Sequence, residues 1–289
     1  PVRQTFVMQR GGDRAFYAAG EPLAINRPYD VLLRADSETP ADDLVALTGN
    51  GRRYEVLSLA PAAGEEALRA ASAEPAPPDI ARRYQALPQA PARVGELARQ
   101  VTAGAATPYD QALALEQFLR RFPYDLAVSP PPAKRDVVDY FLFDAQRGYC
   151  DYYASAMVVM ARSLGIPARL AVGYATGDYD PDERAFLVHE SNAHSWPELY
   201  FAGVGWTPFE PTGSRAPIAR GGVGEERPPY SPGFPSADVQ SGLAAMREEQ
   251  AVQQRSRWLV AALLAFLLAF GFWLVRRRRP EPELVALYE

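Results

Sequence analysis

Alternation of apolar and polar side chains marks the first sixty residues, with short period-2 runs at Gln4 to Met8, Tyr29 to Arg34 and Tyr54 to Leu59. A pleated strand imposes that repeat, because successive side chains leave on opposite faces. Asn50-Gly51 lies between Val45-Ala46-Leu47 and Arg53-Tyr54-Glu55-Val56 and predicts a hairpin turn joining two such strands. Residues 1–63 are therefore expected to form a small β-rich region. From 64 to 105 helical patches alternate with prolines, which predicts a helical connector.

The period lengthens after Thr107. Ala112, Leu115 and Leu119 share one helical face, widened by Leu113 and Phe118. Thr107 can accept from the first free amides, Pro108 suits the first helical position, and Asp110 faces the positive end of the dipole. This helix should end near Phe122-Pro123. A second, short helix is expected around Asp136 to Phe143, and a third from about Cys150 to Leu164, stopped by Gly165-Ile166-Pro167. Strands should follow at Ala168 to Tyr174, Ala185 to His189, His194 to Phe201 and Trp206 to Phe209, with turns at Gly177, Asp180-Pro181 and Gly203-Val204-Gly205. Helices first and an antiparallel meander afterwards make the fold class α+β, with its core over 106–213.

Beyond that core the pattern changes twice. Residues 214–257 are rich in Gly, Pro and Ser in their first half and read as a flexible linker. Residues 258–275 form an uncharged run of 18 with Trp258 and Trp273 near its ends. As a helix the run would measure about 27 Å at ~1.5 Å per residue, enough for a bilayer's hydrocarbon core. It is expected to be a transmembrane helix in contact with lipid. Arg276 to Arg279 outnumber Arg255 and Arg257 on the other flank. That asymmetry predicts a cytoplasmic tail at 276–289 and an extracytoplasmic position for everything before the span. The chain opens on Pro1 with no basic-then-apolar leader, and is expected to be a piece of a longer protein.

With 289 residues, of which 48% are hydrophobic, there is material for a substantial core. A net charge of −5 makes the mean field repel phosphate backbones, so a nucleic-acid partner is not expected. One cysteine allows neither an internal disulfide nor a multi-thiolate zinc site.

That cysteine, Cys150, sits where the third predicted helix begins, after Gly148-Tyr149. Unpaired amides and the helix dipole stabilise a thiolate there, and the thiolate is the nucleophilic form. The ordinary alternative is inert packing, the fate of most free cysteines. The chain has only two histidines, His189 and His194. His194 opens an alternating strand and can reach a neighbouring helix end as a general base, whereas His189 reads as structural. His189-Glu190-Ser191-Asn192-Ala193-His194 imitates a zincin motif, but its histidines are five apart rather than four, and no metal is expected. Glu210 ends the next strand, where it would lie beside the imidazole and fix its tautomer. Glu198 competes but sits four residues along the His194 strand, more than about 13 Å away.

The order Cys, His, acid, together with the surrounding residues, resembles the transglutaminase-like superfamily, specifically its membrane-anchored bacterial, cysteine protease-like members. The resemblance rests on Phe141-Leu142-Phe143, Gly148-Tyr149-Cys150-Asp151-Tyr152-Tyr153-Ala154-Ser155-Ala156-Met157, Gly165-Ile166-Pro167-Ala168-Arg169, Val172-Gly173-Tyr174, Ala193-His194-Ser195-Trp196 and Gly205-Trp206-Thr207-Pro208-Phe209-Glu210-Pro211-Thr212, and covers about Arg93 to Thr212. It implies a papain/transglutaminase-like core, with a helix bundle carrying the cysteine packed on an antiparallel sheet carrying the histidine and the acid. By that resemblance Cys150 is the nucleophile, His194 the base and Glu210 the third triad member. Two positions depart from the family pattern, which usually has Asp at 210 and Ala at 195.

The implied activity is acyl transfer from the glutamine side chain of a protein or peptide to an amine or to water, without a cofactor. The backbone amide of Cys150 is the first oxyanion donor, and Gln146, Tyr149, Tyr152 and Trp196 are candidates for the second. The rival readings are a cysteine peptidase or amidase acting on cell-wall or other peptides, and a catalytically silent surface scaffold.

Overall fold

The computed structural model describes residues 1–9, 14–33, 44–60, 63–87 and 91–220, with single helical positions at 244, 248 and 251. The chain separates into two units, one holding residues 1–60 and the other the described residues from 63 to 220.

Six strands build the first unit: β1 (Val2–Val7), β2 (Ala15–Phe16), β3 (Glu21–Ile25), β4 (Tyr29–Leu33), β5 (Leu44–Gly49) and β6 (Arg53–Leu59). They form two antiparallel sheets in the orders β1-β6-β3 and β2-β5-β4. β6 is the most buried strand, with Tyr54 and Val56 turned into a small core. The Tyr54 ring stacks on Phe6 at 5.1 Å and meets Phe16 at 4.5 Å. Its hydroxyl accepts the Tyr17 N–H at 2.7 Å, so this buried phenol is satisfied. The expected hairpin at Asn50-Gly51 is corrected here. β5 and β6 do not pair with each other; the turn carries the chain from one sheet to the other. The dipeptide signals a reversal, and the identity of the paired strand is decided by which face each strand must bury.

The second unit opens with α1 (Glu65–Ala71), α2 (Pro78–Tyr84) and α3 (Ala92–Val101). Leu68, Val94 and Ala98 are fully buried in the same apolar core as the helices that follow, so this stretch contributes packing as well as connection. Helix α4 (Pro108–Leu119) begins as its sequence requires. Thr107 Oγ1 accepts the Asp110 N–H at 3.1 Å, and Pro108 fills the first position. The helix stops at Leu119, three residues short of Phe122. Asp136 caps α5 (Val137–Tyr140), which widens into a π-helical turn over Phe141–Ala145.

Helix α6 (Cys150–Ser163) is the buried centre of the unit. Tyr153, Ala156, Met157, Met160 and Ala161 are fully buried, against Leu115 and Leu119 of α4 among others. Gly165, at φ +80°, ends it as a left-handed residue that a side chain would strain. The sheet that packs on α6 has the order β11-β10-β7, from β7 (Ala168–Tyr174), β10 (Ala193–Phe201) and β11 (Gly205–Pro208). A separate ribbon pairs β8 (Asp178–Asp180) with β9 (Ala185–Leu187). β9 was expected as a longer strand to His189, while β8 has no apolar alternation and escaped the pattern.

The expected membrane helix at 258–275, its tail and most of the 214–257 linker lie outside the described residues. Among the described residues no helix is long and apolar enough to cross a membrane.

Removing the Thr107 cap without disturbing the core tests the helix-start argument. Thr107→Ala should lower unfolding free energy by about 1 kcal/mol. Leu115→Ala, which empties a buried site on the same helix, should cost ~2–5 kcal/mol. Urea denaturation followed by circular dichroism would read both.

Candidate active site

Three connections fix the start of α6, where Cys150 is the first helical residue and is partly buried. Gly148 N–H donates to the Pro123 carbonyl at 3.3 Å, and the Gly148 carbonyl accepts the Asp125 N–H at 2.8 Å. Tyr153 Oη, one turn in, donates to the Phe122 carbonyl at 2.8 Å. Gly148 is required by space: a Cβ there would lie 2.9 Å from the Tyr152 ring carbons. Tyr149 takes the N-cap position in extended conformation and supplies no side-chain cap, so the first-turn amides beside the sulfur are not consumed by capping.

The central strand β10 delivers the imidazole. His194 is second in that strand and stands opposite Gly173 of β7 in the antiparallel register. Its ring is stacked beside Trp196, with centroids 6.1 Å apart. Glu210 lies two residues beyond the end of β11, so the acid stands just past the strand rather than in it. His194 Nε2 and Glu210 Oε2 are 2.7 Å apart, and the two residues are 8% and 7% exposed. With Nε2 committed to the carboxylate, Nδ1 is the ring nitrogen that remains, and the Cys150 thiol is close enough to the imidazole for each to shift the other's pKa. Cys150, at the start of α6, and the His194–Glu210 pair therefore lie at one place in the fold.

The electrostatics favour an ion pair. Burial opposes the imidazolium, but hydrogen bonds to Cys150 and Glu210 and the Glu210 charge outweigh it and raise the His194 pKa from 6.5 to about 9. Burial likewise pushes the Cys150 thiol up, yet its hydrogen bonds with the His194 and Ser195 side chains and the Ser195 backbone bring it below its ordinary value. Burial would raise the Glu210 pKa, and the bonds from His194 and Thr212 pull it below the carboxylate range instead.

The remaining predicted residues divide. Glu198, the competing acid, is taken by Arg169, with Oε2 at 2.7 Å from both Nε and Nη2. Trp196 flanks the imidazole. Tyr152 is buried, edge-on to Tyr149 at 5.0 Å and against Phe141 at 5.6 Å. Gln146 ends the π-helical turn at φ +49°. His189 caps a 3₁₀ turn over Glu190–Asn192, which separates the two histidines onto different elements and dissolves the zincin resemblance. Among the described residues no group of His, Cys, Asp and Glu could hold a metal ion.

Sequence reasoning overlooked three neighbours. Asp151 Oδ1 lies 3.9 Å from the sulfur and accepts the Ser195 hydroxyl at 2.6 Å, which ties the start of α6 to β10. Glu116 and Arg120, from α4, hold the backbone around Glu210. Glu116 carried a visible signal, since it falls within the Ala112, Leu115, Leu119 stripe and a carboxylate on a core face needs a partner.

Residues 95–211 match the family model of the transglutaminase-like superfamily. Over 123 residues the chain is 43% identical to the Uncharacterized protein YebA of Bacillus subtilis (strain 168), a match covering 40% of this chain and 17% of that protein. Over 121 residues it is 38% identical to a protein-glutamine gamma-glutamyltransferase of Pseudomonas aeruginosa, covering 42% of this chain and 18% of that protein. The chain thus matches under a fifth of the length of either curated relative. Among solved structures, the ethylmercury-bound periplasmic domain of TgpA from Pseudomonas aeruginosa is similar at a TM-score of 0.48 and 30% identity, covering 67% of this chain and 68% of that one. Through residues 95–211 the chain belongs to the transglutaminase-like superfamily.

Proposed function

We propose that this protein transfers acyl groups from glutamine side chains through a Cys150–His194–Glu210 triad. The observation that carries the reading is the buried 2.7 Å contact of His194 with Glu210, beside a Cys150 thiol whose pKa the imidazole lowers. The 38% identity to a protein-glutamine gamma-glutamyltransferase over this region supports the same substrate class.

In the first half-reaction the Cys150 thiolate adds to the amide carbon, and the electron pair of the carbonyl moves to oxygen. The backbone N–H of Cys150, free of side-chain capping, is the first donor to that oxyanion. Trp196, Tyr149, Tyr152 and Gln146 remain the candidates for a second. His194 gives its proton to the departing nitrogen, ammonia leaves, and a thioester stays on Cys150. In the second half-reaction an amine attacks the thioester carbon, His194 takes the amine's proton, and the thiolate departs from the new isopeptide bond. Water in place of the amine gives deamidation. Glu210 holds the ring and favours its charged form.

We also propose that residues 106–213 are the catalytic core and that 258–275 anchor it in a membrane, with the core outside the cytoplasm. The four-arginine flank supports that orientation. A cysteine peptidase remains the second reading, because the same three groups cleave peptide bonds when the acyl donor is a backbone amide.

With a glutamine peptide, the protein should release ammonia and, given a primary amine, incorporate it with a single mass increase. Cys150→Ala should reduce both by roughly 10³-fold or more. A cut peptide backbone would assign the peptidase reading instead. Failure of a thiol reagent to modify Cys150 in the folded protein, with no product formed, would leave only the scaffold.

The pH profile should be bell-shaped. Activity rises as Cys150 ionises below its ordinary pKa, and it falls as the His194 imidazolium loses its proton at about pH 9. Glu210→Gln removes the charge that raises the His194 pKa, so the alkaline limb should move to lower pH.

A further inference from the structure

We propose that Glu116 and Arg120 are positioning residues of this site, gripping the backbone on both sides of Glu210 so that its carboxylate meets His194. The inference rests on the triad reading and adds the device that fixes the triad's third member. Glu210 stands beyond the last strand, where no ladder partner satisfies its backbone, yet it is 7% exposed. Buried peptide groups without partners are costly, so the segment must be held by something else.

Every polar group of Glu210 has a partner. Its N–H donates to Glu116 Oε1 at 2.7 Å, and its carbonyl accepts Arg120 Nη1 at 2.7 Å. Its Oε1 accepts the Thr212 N–H at 3.1 Å, and Oε2 meets His194. The same guanidinium also reaches the Thr212 carbonyl at 3.1 Å through Nη1 and the Arg215 carbonyl at 2.5 Å through Nη2. One arginine therefore closes the turn from 210 to 215. Glu116 lies in α4 and Arg120 caps its end one turn later, and the same helix is anchored by the fully buried Ala112, Leu115 and Leu119. The grip is thus referenced to the rigid core.

A purely structural role fits Glu116 poorly. A carboxylate that is 6% exposed is expensive to bury, and its charge repels that of Glu210. A leucine at this point of the stripe would pack at less cost. Its carboxyl oxygen, on a group whose pKa burial raises, gives in exchange an acceptor for a single backbone N–H, at the residue where angular error would be transmitted to the imidazole. The Arg120 and Arg220 guanidinium charges partly offset the repulsion.

The test is the pH dependence of Cys150 alkylation by iodoacetamide in the whole chain. The groups facing His194 are Cys150, Glu210 and, at longer range, Arg215. Glu116→Gln keeps an oxygen acceptor and should retain the native profile, in which alkylation rises with a thiol that ionises below its ordinary pKa. Glu116→Ala frees the Glu210 backbone, weakens the imidazolium and should move that rise up to the ordinary thiol value of 9.0, with alkylation at pH 8 reduced roughly tenfold. If Glu116→Ala does not fold, Arg120→Lys, which keeps one donor of the fork, should give a smaller shift in the same direction. A native alkylation profile in folded Glu116→Ala, or in Arg120→Lys where Glu116→Ala does not fold, overturns the grip. A shift in Glu116→Gln as large as in Glu116→Ala also overturns it, because charge rather than bonding would then be the cause. A wild-type thiol that titrates as an ordinary free cysteine would instead overturn the triad itself, so the two failures are separable.

Discussion

A carboxylate and an imidazole, each more than nine-tenths buried, are tolerable in this fold only because they hold each other. Either group alone would be driven to its neutral form by the loss of water. Together, at 2.7 Å, the pair reverses that tendency: His194 is pushed up to about 9 and Glu210 is pulled down. The cost of burying two charges is offset by a directed hydrogen bond, and by the further bonds that satisfy the remaining oxygen and backbone of Glu210. The orientation of the ring and the raised pKa of His194 follow from this contact.

The architecture around the pair consists of rigid references. β10 is the central strand of its sheet, held on both edges, so the position of His194 is set by register with β7 and not by a loop. α6 is sealed into the core along most of its length, while its first turn is left uncapped where the sulfur stands. Only the acid comes from irregular backbone. Binding that irregular turn to α4 converts it into an extension of the core.

Much of this was legible in the sequence, and the exceptions have physical causes. α4 and α6 were readable because cap, first-turn proline, apolar stripe and stop signal agreed, as Thr107-Pro108 and Gly165-Ile166-Pro167 show. β7 and β10 alternate clearly. The partner of β5 was not readable: Asn50-Gly51 announces a reversal, but pairing is settled by burial of Tyr54 and Val56 in a sheet the local sequence does not define. The order of thiol, imidazole and acid was legible because the chain has one cysteine and two histidines. Glu116 was not recognised, although a charge inside an apolar stripe announces a buried partner; that partner lies 94 residues away, beyond the range of any periodicity.

Ser195 and Asp151 show how the sulfur is balanced. Ser195 lowers the pKa of the thiol, while Asp151, 3.9 Å away, raises it. The two opposing residues are themselves joined, the Ser195 hydroxyl giving its one proton to Asp151 Oδ1 at 2.6 Å. A thiol depressed too far is ionised but weakly nucleophilic, because nucleophilicity falls with basicity. Keeping a carboxylate beside the sulfur limits that fall while His194 still secures ionisation. On the proposed mechanism the same cleft has two tasks: to form the thiolate, and to leave enough electron density on sulfur for an attack on an unactivated amide.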